Sequence, residues 1–73
     1  MRVLAIHDGT KILVWLVGET VESAPAHVKN GYRELQPAWD AGKLTAVVVE
    51  VPDGDEYRSE LYEVADGAVR RKG

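Results

Sequence analysis

Cysteine is absent from the 73 residues. That excludes disulfide staples and thiolate metal sites, and it leaves an apolar core, helped where needed by a partner chain, to supply the stability. The same absence fits a cytoplasmic setting. Serine occurs only as Ser23 and Ser59, and histidine only as His7 and His27, so the common nucleophile and base constellations have few members to draw on. The glycines at 9, 18, 31, 42, 54, 67 and 73 are too scattered to form a phosphate-cradling loop. No long hydrophobic run is present either. The most apolar stretch, "MRVLAIHDGTKILVWLVGE", is interrupted by Asp8, Gly9 and Lys11. It falls short of the about 20 apolar residues of a membrane span, and no small-residue cleavage site follows a single apolar block as in a signal peptide. A chain this short buries only about 60% of the surface its unfolded form exposes, so residues 1–73 are read as a single domain with no second core.

What the chain does have is punctuation. Asp-Gly, a dipeptide suited to two-residue hairpin loops because both central residues of a type I′ turn need positive φ, occurs three times. Asp8-Gly9 separates "VLAIH" from "KILVWLV", Asp53-Gly54 separates "TAVVVEV" from "EYRSELYEV", and Asp66-Gly67 separates "LYEVA" from "AVRR". Each flanking run reads as a strand. Between the second and third runs, Ala24, Val28, Tyr32, Leu35 and Trp39 recur at the spacing of one helical face. Ser23 suits an N-cap, Pro25 a first turn and Gly42 a C-terminal stop. Asn30-Gly31 and Pro37 argue against a straight rod, so a helix is expected near 24–35, with a second turn or short helix at 37–41 facing the same core.

These elements predict an α+β fold in the order ββαβββ, with an antiparallel sheet of about five strands and one helical segment. "ILVWLV" and "AVVVEV" are apolar on both faces, and a short helix covers only one. The other face then closes by curling into a partly open barrel, by packing on a second copy, or by binding a different protein. Strict alternation puts Trp15 on the face of Leu13 and Val17, opposite Ile12, Val14 and Leu16. A homodimer with Trp15 in or near the contact is the expectation.

Catalytic patterns are sparse. His7 and Asp8 adjoin, but neighbours in a strand point to opposite faces, so "HDGT" reads as a turn and not as a dyad. Ser23 is explained by capping and Ser59 by a place in a strand among charged neighbours. His7, His27 and Asp8 or Glu22 would be needed for a metal site, and no local ligand spacing supports one. "PDGDE", residues 52–56, lacks the length and later glutamate of a calcium loop. No cofactor is expected, and both histidines are expected to be dispensable surface residues.

Charge says more. Seven carboxylates, Glu50, Asp53, Asp55, Glu56, Glu60, Glu63 and Asp66, crowd residues 50–66 against a lone Arg58, and the chain then ends in Arg70-Arg71-Lys72. The acidic stretch either protects a sheet edge or attracts a basic partner. The expected function is a small non-enzymatic protein-binding or regulatory module acting in an assembly. It would use an apolar sheet face and an acidic hairpin, with Asp53, Asp55, Glu56, Glu60 and Trp15 in contact with a basic protein. A nucleic-acid-binding protein using the basic tail is the alternative, weakened by a net charge of −3. A small enzyme using His7 and His27 is another.

Overall fold

The segment "RVLAIH" is apolar at four consecutive positions, which suits a strand covered on both faces. The computed structural model, which describes all 73 residues, uses it that way. Strand β1 (Arg2–His7) is the middle of a three-stranded antiparallel sheet, flanked by β2 (Ile12–Val17) and β3 (Thr45–Glu50). Its Val3, Leu4, Ala5 and Ile6 are fully buried. Leu4 and Ile6 point into one core, with Val14, Ala24 and Val28. Val3 points into the other, with Val51 and Tyr62.

The first core lies under the helices. α1 (Ala24–Gly31) and α2 (Gln36–Asp40) are preceded by short 3₁₀ turns at Val21–Ser23 and Arg33–Leu35. All five residues of the predicted stripe, Ala24, Val28, Tyr32, Leu35 and Trp39, pack there. The single expected helix is divided at Tyr32, whose φ of −136° and ψ of 55° are not helical, so the Asn30-Gly31 turn signal prevailed over the periodicity. Gly42 ends α2 at φ +72°, with its N–H donating to the Trp39 carbonyl and that of Lys43 to the Ala38 carbonyl, a Schellman closure. Ser23 does precede α1, but its hydroxyl donates to the Thr20 carbonyl and accepts from the Thr20 N–H, so it ties down the preceding turn and caps nothing in α1.

The second core is closed by the end of the chain. β4 (Tyr62–Ala65) and β5 (Ala68–Arg71) form a separate antiparallel hairpin. Its turn has Asp66 at φ 54° and Gly67 at φ 79°, as a type I′ loop requires. Tyr62 and Val69 pack with Val3, Trp15, Val17 and Val49 on the face the helices leave open. The molecule is thus α+β in three layers: helices, a three-stranded sheet and a hairpin. Its strands divide three and two and do not form one five-stranded sheet, and neither sheet closes into a barrel. No helix is long and apolar enough to cross a membrane.

The other two Asp-Gly pairs do different work. Asp8-Gly9 belongs to a four-residue loop in which Asp8 Oδ1 accepts from the N–H groups of Thr10 and Lys11, both at 2.8 Å. The bond from the Lys11 N–H, and then that from Thr10, hold the Asp8 carboxyl below the usual aspartate range. The β1–β2 register then slips, with Ile6 opposite Val14 but His7 opposite Ile12, leaving Leu13 as a bulge. The bulge exchanges the faces assumed from alternation: Ile12 joins Trp15 and Val17 in the second core, and Leu13 joins Val14 and Leu16 in the first. Asp53-Gly54 is not a hairpin loop at all. It lies in a connector that carries the chain from β3 across to the second layer, where β4 pairs with β5 and not with β3.

Candidate partner-binding surface

The connector contains four of the seven carboxylates of the acidic stretch, and the structure shows what holds it in place. The Trp15 indole N–H donates to the Glu56 carbonyl at 2.8 Å, and the Tyr62 hydroxyl donates to Asp55 Oδ2 at 3.0 Å. The rings of Trp15 and Tyr62 lie 5.0 Å apart, tilted by 35°. Trp15 is therefore an internal anchor between sheet, connector and hairpin. The open face from which its place in a dimer contact was inferred is occupied by the chain's own β4 and β5.

The four predicted acidic residues separate by role. Asp55 is mostly buried, accepts from Tyr62 and stands 3.4 Å from the Arg71 guanidinium. Glu56 accepts from the Gly54 N–H at 2.7 Å, and Glu60 accepts from Arg58 at 2.8 Å. The hydrogen bond from Arg58 is the largest cause holding the Glu60 carboxyl below its usual range, and its reciprocal raises the guanidinium. Asp53 is 92% exposed and lies 3.7 Å from the Met1 amine. Among these carboxylates stands Tyr57, 80% exposed and with no hydrogen bond from its phenol. Its place amid acidic residues was visible in the sequence. Its exposure was not, because a strand assignment for "EYRSELYEV" would have buried alternate residues.

The basic end is not a free tail. Arg70 and Arg71 belong to β5, and the Lys72 N–H donates to the Leu61 carbonyl at 2.8 Å. Arg70 faces Glu63 at 3.6 Å, Arg71 faces Asp55 at 3.4 Å, and Arg2 faces Glu50 at 3.5 Å. The Arg2 and Arg70 pairs are exposed and add little stability, but all three pairs cancel charge that a phosphate backbone would need.

The histidines lie in different layers. His7 is 3% exposed, not on the surface: its Nδ1 accepts from the Gly9 N–H at 3.1 Å, which places the neutral ring's proton on Nε2, and Nε2 is buried without a partner. His27 sits half-buried on α1, its Nε2 2.6 Å from Glu19 Oε1. That hydrogen bond is the main cause of a lowered Glu19 carboxyl. No group of three His, Cys, Asp or Glu side chains is arranged to hold a metal ion. Ser59 lies in a 3₁₀ turn, Ser59–Leu61, and not in a strand. It lines an open cleft of about 400 Å³ between the β1–β2 loop and the hairpin, with Lys11, Glu60, Glu63 and Lys72 but neither histidine. No family model, curated protein or solved structure matches the chain. Function is therefore read from the chain's own geometry.

Proposed function

We propose that this chain is a small non-enzymatic protein-binding module whose docking surface is Tyr57 and the acidic connector around it. The observation that supports this reading is an aromatic side chain 80% exposed on a connector pinned at Trp15–Glu56 and Tyr62–Asp55. A large apolar side chain left in water gains nothing for the fold, while an aromatic on a backbone already ordered loses little further freedom on docking. Tyrosine is among the residues that dominate interface energies. Asp53, Glu56 and Glu60 give the surface its sign, so the partner is a basic protein segment steered by charge and anchored on the ring. The arginines of β1 and β5 are matched with carboxylates, which favours this over a nucleic-acid role.

The test uses the isotope-labelled chain titrated with a lysine-rich probe peptide and followed by NMR. Shifts should concentrate on residues 53–61, Tyr57→Ser should weaken binding about tenfold, and added salt should weaken it further. Binding that ignores Tyr57→Ser, or an oligonucleotide that binds more tightly through residues 70–72, would reverse the assignment.

A further inference from the structure

The two outer strands of the three-stranded sheet differ. On β2 the bulge at Leu13 interrupts the strand, a device that discourages pairing with other chains. β3 has no such guard. Its pairing with β1 runs unbroken from Arg2–Glu50 to His7–Thr45, and "TAVVVE" contains neither proline nor lysine. Met1 and Val51 exchange both backbone hydrogen bonds, at 2.8 and 2.9 Å. By the alternation of an antiparallel ladder, Val49, Val47 and Thr45 also turn their N–H and C=O groups toward β1, while Ala46, Val48 and Glu50 turn theirs outward. No strand of the chain pairs with that outer side. Val48 at its centre is 41% exposed, and the exposed Val21 stands on the 3₁₀ turn packed against β3.

We propose that β3 of a second copy of this chain pairs antiparallel with this edge about a two-fold axis at Val48, joining two three-stranded sheets into one of six. The register is chosen by chemistry. Val48 meets Val48, and Ala46 meets Glu50, so the two glutamates stand at opposite ends and no like charges face each other. Unlike ends do meet. Lys43, which has no ion pair within the chain, lies just before β3, and Glu50 and Asp53 lie at and beyond its far end. The axis is perpendicular to the sheet, so the helices of both copies share one face and Val21 of each flanks the seam. The contact is separate from Tyr57, and its failure would leave the docking proposal standing.

Light scattering after size exclusion at high micromolar concentration should give twice the chain mass of 8.0 kDa, and Val48→Lys should return the single-chain mass with an unchanged circular dichroism spectrum. Because the chain has no cysteine, Val48→Cys carries a unique thiol. Opposed residues of a hydrogen-bonded pair lie about 5.5 Å apart, within disulfide range, so mild oxidation should link Val48→Cys into dimers. Ala26→Cys, on the exposed side of α1, should stay unlinked. A single-chain mass for the wild type overturns the proposal. So does a dimer indifferent to Val48→Lys, or cross-linking of Ala26→Cys as fast as Val48→Cys.

Discussion

His7 carries the sharpest difference between sequence and structure at the scale of one residue. A histidine before an Asp-Gly turn reads as surface, yet it is nearly fully buried, accepts from the Gly9 N–H and leaves Nε2 without an acceptor. Alternation along β1 does place it on the same side as Val3 and Ala5. What alternation cannot supply is that this side is a core at all: Val3 is closed over there by Tyr62 and Val69, from the far end of the chain. Replacing His7 by Ala removes a buried ring and the acceptor that holds the Gly9 N–H, and should cost about 2–4 kcal/mol, far above a surface substitution. Urea unfolding of the variant checks this. A loss below about 0.5 kcal/mol would return the residue to the surface class. The acidic residues teach the same lesson. Their sign was legible, whereas the internal use of Asp55 was not, because Tyr62 and Arg71 reach it only once the hairpin has folded over the sheet.

Among the elements, the legible ones are those whose signals are local. The stripe from Ala24 to Trp39, the stop at Gly42 and the Asp66-Gly67 hairpin all follow from residues within a few positions of one another. The Asp53-Gly54 connector failed that way of reading, since the dipeptide marks a turn but does not say which strand the chain pairs with next. Leu13 failed it for a related reason: one bulged residue exchanges the faces of Ile12 and Leu13, and nothing in "KILVWLV" marks the slip. Two glycines give opposite expectations. Gly67, at φ +79°, should lose about 1 kcal/mol on replacement by Ala. Gly31 closes α1 without positive φ and with open space at its Cβ, so Gly31→Ala should gain about 0.5 kcal/mol. Both are read from the midpoint of chemical unfolding, and equal signs would show that the turn, the helix end or both are misassigned.

For the whole molecule, a phenol at the junction of hairpin and connector ties stability to alkaline pH. Burial, and then the hydrogen bond to Asp55, raise the Tyr62 hydroxyl above the ordinary value of 10.0. A group raised in the folded state contributes stability that is fully present below its unfolded value and lost as pH rises through the folded one. The stability of the wild type should therefore fall above pH 10, and that component of the fall should be absent in Tyr62→Phe. In a Trp39→Phe background, Trp15 fluorescence reports the departure of the hairpin, and identical profiles with and without the phenol would refute the linkage. The placement of β1 has a consequence in time. Its partners on β3 follow it by 38 residues (His7 and Thr45) to 48 residues (Arg2 and Glu50). A ribosome adding about 5–20 residues per second needs roughly two to ten seconds to make that interval. Throughout it, the most deeply buried strand of the protein has one edge unpaired. Neighbouring nascent chains on one message would present the same edge to each other, so slower decoding between residues 7 and 45 should increase the insoluble fraction, and a nascent-chain chaperone binding β1 should reduce it.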